Sequence, residues 1–497
     1  MIYSSVRKSL FTTLFKNKKA VLFLVAIYLV GLYPRLSGLD GGFAFTFDQG
    51  RDFLTLSKIV NEHKLQLIGP PTGPIDGVFH GVWWFWFLAP FFYLVKGNPE
   101  QLVTIYNISS TLIIFLFFYI CNTIKNRVCG IIGAFFIAIS PTFIRYSSQI
   151  WHPNIVPIAM LGLFLTVLLY LKKCSPFFMI GILLGVIFEF HIGFGTFFVP
   201  AFLIALLLSG IRPTSKEIAL GIGGFIFWAI PRLIFDMRHD FLQLKSVVNY
   251  IHWSPGRSKG FIDQFTSTGQ LFLGIFTDLT ANGNKMLGGL YVFLTILVLK
   301  KYWATYSKFT TIFIKLIIFT ILILFCELLF FPGQIWNHYL IGLPALFLIP
   351  FIVCLNSVIE RFKVFGVLLV GVYMIIIWEP WRLMIPPWEG DSSVFRNQLA
   401  AVQEIFDHTT GKPFNVQVYS PALIDYQYQY LFLWLGTRKY EQVPDREHVT
   451  SQVFLVVEPN PLYPDRRLNW LKERDGDGKN VWNKKFTGNI YVEQRAR

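Results

Sequence analysis

The sequence predicts an all-α polytopic membrane protein with about eleven transmembrane helices, followed by a small α/β domain on the extracytoplasmic side. Three observations carry this expectation. Of 497 residues, 54% are hydrophobic and only 15% charged, against the roughly 25% charged residues of soluble domains. The apolar residues gather into runs of about 20, the length at which a helix crosses the roughly 30 Å hydrocarbon layer with its own backbone hydrogen bonds satisfied. After Trp378 the pattern changes to short β-branched runs between amphipathic stretches.

The apolar runs lie near residues 18–36, 102–121, 128–147, 154–171, 177–190, 195–209, 217–235, 285–300, 309–331, 338–356 and 362–380. Charge orients them. Arg7, Lys8, Lys16, Lys18 and Lys19 precede the first run, and basic pairs recur at Lys125/Arg127, Lys172/Lys173, Arg212/Lys216, Lys300/Lys301 and Arg361/Lys363. Every second connection is therefore basic, which the positive-inside rule assigns to the cytoplasm of a multi-pass cell-membrane protein. The N-terminus is expected inside and the C-terminus outside. The net charge of +15 is thus accounted for by topology and contact with membrane lipids, not by nucleic acid, which calls for a basic face. The basic start and the apolar stretch from Ala20 to Tyr33 resemble a secretory signal without a small-residue cleavage site, as in an uncleaved anchor. The five cysteines show no paired spacing and point to neither disulfides nor zinc.

Two units follow, a transmembrane catalytic domain over 1–390 and an extracytoplasmic domain over 391–497. Within the first, residues 37–101 form an outer loop with a polar piece, Phe47–Lys64, and an aromatic one, Gly81-Val-Trp-Trp-Phe-Trp-Phe-Leu-Ala-Pro. Reading the aromatic piece as a span would place the later basic connections outside. It is expected to lie in or dip into the outer interface, where Trp and Tyr collect. Gly181-x-x-x-Gly185 reads as a close helix contact. In the second unit, Pro386-Pro387 end the last span, the runs from Phe414 and Val453 read as strands, and 394–408 and 464–475 read as helices. The sequence lacks a Walker-type phosphate loop and a dinucleotide fingerprint.

In this topology polar residues concentrate on the outer side: Asp48, Arg51 and Asp52; Arg145, Gln149, His152 and Asn154; Glu189 and His191; Arg232, Asp236, Arg238, His239 and Asp240; Gln334, Asn337 and His338. Ionisable groups in membranes usually face cavities, so these stretches are expected to line one outward-facing site. Bland readings stand beside this one. Asp48 suits a helix N-cap, His152 and Asn154 flank Pro153 and suit a cap, Glu189 and His191 suit a satisfied structural pair, and Trp83, Trp84 and Trp86 suit an interfacial anchor.

Phe45-Thr-Phe-Asp48-Gln49-Gly50-Arg51-Asp52 follows the first span, Gly69-Pro70-Pro71 precedes the aromatic helix, and Ser140-Pro141-Thr-Phe-x-x-Tyr-Ser opens a polar outer loop. In this order they resemble the GT-C membrane glycosyltransferases, especially the protein O-mannosyltransferase and lipid A aminoarabinose transferase group, over most of residues 18–240. The resemblance implies transfer of a sugar from a polyprenyl-phosphate donor to a lipid, glycan or protein acceptor on the outer face, with inversion. It makes Asp48 the catalytic acidic residue and Arg51 a ligand of the donor phosphate. Arg238 is a second candidate phosphate ligand, and Asp52, His152, Asn154, Glu189, His191, Asp236 and His338 are candidate substrate ligands. The pattern departs at Gln49, usually acidic, at Gly69, usually His, and at His152 and Asn154, where relatives often carry Asp. Fewer carboxylates weaken the case for a divalent cation, which stays open as the one cofactor. The competing reading is a transporter or flippase of polyprenyl-linked glycans, which calls for internal repeats that this sequence lacks.

Overall fold

A computed structural model describes residues 18–38, 40–73, 75–253, 260–331, 335–383, 390–409, 411–422 and 424–496. Arg7, Lys8, Lys16, Gln334 and Pro386-Pro387 lie outside the described residues. The first apolar run forms α1 (Lys18–Leu36). The outer loop then builds α2 (Phe47–Asn61), an antiparallel hairpin of β1 (Ile68–Pro71) and β2 (Phe79–Gly81), and α3 (Trp83–Leu94). At 1.5 Å per residue α3 is about 18 Å long, well short of the roughly 30 Å hydrocarbon layer, and it suits the interfacial placement.

The following helices are α4 (Pro99–Thr111), α5 (Ile113–Ile124), α6 (Arg127–Ile139), α7 (Pro141–Ser148), α8 (Val156–Leu171), α9 (Phe177–Phe190), α10 (Ile192–Leu208) and α11 (Ser215–Arg238). Beyond them come α12 (Leu242–Trp253), α13 (Phe261–Ala281), α14 (Lys285–Tyr302), α15 (Lys308–Leu329), α16 (Leu343–Arg361) and α17 (Lys363–Arg382). A helix overlies each of the apolar runs. Among the described residues six helices are long and apolar enough to cross a membrane, counting α4 and α5 as one helix over Pro99–Ile124, and a seventh if the bent pair α6–α7 counts as one span.

The run at 128–147 differs from the single straight span expected. It bends by 63° between α6 and α7, because Pro141 lacks the N–H that would continue the ladder and suits a helix start instead. The carbonyls released at the bend are taken by a buried cation. Arg35, in the last turn of α1, donates to Ala138 O at 3.0 Å, to Ile137 O at 3.3 Å and to the Ser147 hydroxyl, a favourable match of guanidinium to the negative end of a helix. Two further differences have sequence reasons. Helices α12 and α13 occupy a stretch without an apolar run of spanning length, and α16 begins at Leu343, immediately before Pro344 and later than the run at 338 suggested. The glycine pair behaves as expected. A Cβ on Gly181 would sit 1.9 Å from Gly221 O, so α9 and α11 touch backbone to backbone.

The C-terminal unit contains α18 (Phe395–Thr409), β3 (Asn415–Tyr419), α19 (Tyr426–Leu435), β4 (Gln452–Val457), α20 (Pro464–Lys472), β5 (Lys479–Lys485) and β6 (Tyr491–Ala496). The sheet order is β3-β4-β6-β5, with β3 and β4 parallel. Every residue of β4 is buried, as its unbroken apolar run demands of a central strand. The unit docks on the outer loop through Phe45 N to Ser393 O at 2.8 Å, Phe395 N to Phe43 O at 2.9 Å, and stacked rings of Phe43 and Phe395.

Just past β4 the Glu458 carboxylate is buried and accepts from Ser420 Oγ at 3.0 Å, Tyr428 OH at 3.0 Å and Gln398 Nε2 at 3.4 Å. Burial pushes it up to about 7, with these donors pulling the other way. A carboxyl raised in the folded state binds its proton more tightly there. Its contribution to stability is therefore greatest below about pH 4.5 and declines as pH rises through about 7, by roughly 3 kcal/mol. Glu458→Gln is expected to flatten the pH dependence of unfolding of this unit in that window, as read by thermal melts of the full chain at stepped pH. An unchanged slope would place the titration elsewhere.

Candidate functional site

The site starts from the way α2 begins. Thr46 caps the helix: its backbone N–H donates to Gln49 Oε1 at 3.0 Å, and its hydroxyl bonds the same oxygen. Gln49 in turn donates from Nε2 to Ile150 O at 3.0 Å, tying the first outer loop to the second. Gln49, acidic in the resembling enzymes, is therefore engaged in positioning. Because Thr46 is the cap, Asp48 is not, and its side chain points to Arg51 one turn on, at 2.8 Å.

Arg51 also grips Asp52, with Nη2 and Nε 2.8 and 2.9 Å from Oδ1. The other Asp52 oxygen accepts from the Trp84 indole N–H at 2.8 Å. Three of the five guanidinium N–H groups thus serve carboxylates, which leaves one on each Nη without a carboxylate partner. Asp52 is 3% exposed. Burial raises its carboxyl to about 6, with Arg51 and Trp84 pulling it down. The Asp48 side chain is 36% exposed.

Four of the chain's nine histidines meet beside this helix. The ring of His80 lies 4.4 Å from His152 and 5.5 Å from His191, and His191 lies 5.8 Å from His338. His80 Nδ1 accepts from the Ile192 amide at 3.3 Å and His191 Nδ1 from the Phe194 amide at 3.0 Å. Each acceptor bond places the ring proton on Nε2. Burial, reinforced by His191, Arg232 and Arg51, holds His80 well below its usual range, so it is neutral at pH 7. His338 is lowered by burial against the pull of Asp48. Both nitrogens of His152 are buried without a partner among the described residues. Among those residues no three His, Cys, Asp or Glu side chains are arranged to hold a metal ion. Protonated Nε2 atoms make His80 and His191 hydrogen-bond donors in this arrangement.

The other expected residues fall into place around this group. Glu189 is buried and bound by both oxygens to Arg232, at 3.1 and 2.9 Å. Arg232 also donates to Phe79 O at 2.6 Å and Gln243 Oε1 at 3.2 Å, so the pair clasps β2 between α9 and α11. Asp236 accepts from the amides of Gln243 and Leu244 at 2.8 and 3.3 Å and caps α12. Arg238 is exposed in the last turn of α11 and makes no ion pair among the described residues. Asn154 is buried and donates to Gln149 O at 2.9 Å. Asp48, Arg51, Asp52, His152, His191 and His338 are brought together, whereas Asp236 and Arg238 are not.

Trp84 and His80 complete the group. Trp84 was placed with the interfacial tryptophans; Trp83, whose indole donates to Trp228 O at 2.7 Å, does pack against α11, but Trp84 holds Asp52. His80 was not singled out. Hairpin register explains its position. β1 and β2 pair Ile68 with Gly81 and Pro71 with Phe79, so Gly69 lies against His80. A Cβ on Gly69 would come within 2.2 Å of Gly81 O, which excludes the histidine that relatives carry before Pro-Pro. The imidazole enters from the opposite strand. An isolated histidine just before the aromatic helix was the available signal.

The architecture can now be compared with known proteins. No protein-family model matches the sequence, and no curated protein is similar enough to match. ArnT from Cupriavidus metallidurans in the apo state is similar with a TM-score of 0.59 at 11% identity, covering 95% of this chain and 97% of that one. The same protein bound to undecaprenyl phosphate gives 0.57. The Archaeoglobus fulgidus oligosaccharyltransferase tethered with an acceptor peptide gives 0.52 at 14% identity over 84% of this chain and 64% of that one. The chain thus shares the GT-C fold of these proteins.

α2 is held from outside by the C-terminal unit, since a Cβ on Gly50 would sit 2.2 Å from Gln427 N and 2.4 Å from Tyr426 C. Gly50→Ala is expected to push α19 off α2 and to destabilise the docked unit by about 1–3 kcal/mol. Limited proteolysis at the junction tests this, and parental resistance would refute the contact.

Proposed function

We propose that this chain is an integral membrane glycosyltransferase of the GT-C fold, moving a sugar from a polyprenyl-phosphate donor to an acceptor hydroxyl at the outer face. In this reading a catalytic domain of eleven spans, 1–390, carries the site, and the 391–497 domain covers it from outside. The observation that carries the proposal is the Asp48–Arg51–Asp52 group, one guanidinium oriented by two carboxylates next to a set of neutral imidazoles. The likeness to ArnT, a protein seen with undecaprenyl phosphate, supports a lipid donor. So does location, because soluble nucleotide sugars are inside the cell.

The chemistry follows from the residues. The acceptor oxygen attacks the anomeric carbon, and the new O–C1 bond forms as the C1–O bond to phosphate breaks. The bonding pair leaves on polyprenyl phosphate, and the acceptor proton passes to Asp48. A single displacement inverts the anomeric centre. The N–H groups of Arg51 that the carboxylates leave free meet the growing charge on the leaving phosphate, and Asp52, fixed by Trp84, holds that guanidinium in place. Neutral Nε2–H donors of His80 and His191 add polarity without repelling Arg51.

Purified protein incubated with defined polyprenyl-phosphate sugars should release polyprenyl phosphate. Asp48→Asn keeps the size but removes the proton acceptor, and is expected to lower turnover about 10²-fold or more with donor binding retained. Parental turnover would move the base elsewhere, first to Asp52. Arg51→Lys keeps the charge but not the fork, and donor affinity should weaken; unchanged affinity and turnover would reduce Arg51 to a structural ion pair. Cysteine labelling should reach residues of the 391–497 domain from outside the cell and the N-terminus only from the cytoplasm. The reverse pattern would overturn the topology.

A further inference from the structure

A cavity of about 450 Å3 opens beside the histidines, walled by α7, the turn before α8, the end of α13 and the start of α16. Its size falls within the roughly 300–1,000 Å3 of ligand sites. Two other cavities have a different character, being lined chiefly by apolar side chains such as Leu294, Val298 and Phe365, or Phe87, Leu88 and Phe91. Here the wall presents the amides of Gln149, Asn154 and Asn337, the charges of Arg145 and Asp278, and the indole of Trp151.

Each of these features selects a ligand chemistry. Amides both donate and accept, as hydroxyl groups do, so they match a ring carrying several hydroxyls. An indole offers an apolar face for the C–H side of such a ring. One guanidinium and one carboxylate leave the lining without net charge, which disfavours an anionic headgroup that needs an excess of cations. The walls are helices and the short turns that join them, with no unpaired strand edge for an extended peptide.

The cavity is also connected to the reaction centre. His338 lines it and is the outermost of the four histidines, 5.8 Å from His191 and 6.0 Å from Trp151. Asp48 is near enough to His338 to act on its charge.

We propose that this cavity binds a neutral saccharide and that this saccharide is the acceptor, its hydroxyl reaching Asp48 past His338. The acceptor assignment rests on the transferase reading; the binding itself does not. The test uses full-length protein in lipid nanodiscs and saturation-transfer NMR with a panel of methyl glycosides of neutral disaccharides, a tripeptide and glycerol phosphate. A disaccharide should bind, and Asn337→Leu and Gln149→Leu should each weaken it at least tenfold, with circular dichroism reporting that either variant is folded. Asp48→Asn should still bind it. Binding of the tripeptide or of glycerol phosphate in its place, no disaccharide binding, or equal binding by folded variants would overturn the proposal. Polyprenyl phosphate release from defined donors is measured in parallel. Donor cleavage without saccharide binding refutes the cavity assignment alone, whereas saccharide binding without cleavage of any donor refutes the transferase reading and leaves the binding site standing.

Discussion

The guanidinium of Arg51 sits between two carboxylates on its own helix, and the geometry of the candidate site is organised around that arrangement. Asp48 and Asp52 approach it at 2.8 Å from opposite ends. Neither contact would hold a defined direction in open water, where exposed ion pairs contribute little. They do so here because Asp52 is buried and anchored by Trp84, and because α2 is fixed at both ends of its first turn, by the Thr46–Gln49 cap inside and by α19 pressing on Gly50 outside. Buried pairs depend on such supplementary hydrogen bonds to offset desolvation.

A second constraint is the avoidance of surplus positive charge near that group. Arg232 lies close to His80 but is occupied by Glu189 through both carboxylate oxygens. His80, His152 and His191 are buried, and His80 is neutral. The result is a group in which Arg51 keeps one N–H on each Nη free of carboxylates, beside the neutral donor His80. Such preorganised dipoles stabilise charge that develops during a reaction without reorganising at the moment it appears.

The backbone also carries part of the site. The 63° break at Pro141 turns α7 sideways and brings Arg145, Gln149 and the turn with His152 to the side of the site, while Arg35 satisfies the carbonyls that the break exposes. The hairpin does the same for His80. Its tight register requires glycine at 69 and 81, the latter because a Cβ there would meet Glu189 Oε2 at 2.3 Å.

Apolar run length and the alternation of basic connections are local quantities, and they determined the helices, their proposed orientation and the change of character before 391. The order of Asp48, Arg51 and Asp52 along one helix was equally legible, since residues three and four apart share a face. Tertiary structure decided which distant groups meet. Glu189 pairs with a residue 43 positions away, Asp236 caps α12, Arg238 stays at the surface, and His80 joins the other histidines from the strand opposite Gly69. Those outcomes depend on hairpin register, helix crossing at Gly181 and Gly221, and the bend at Pro141. Each is set by contacts between elements far apart in the chain, whose energies no single segment of sequence contains.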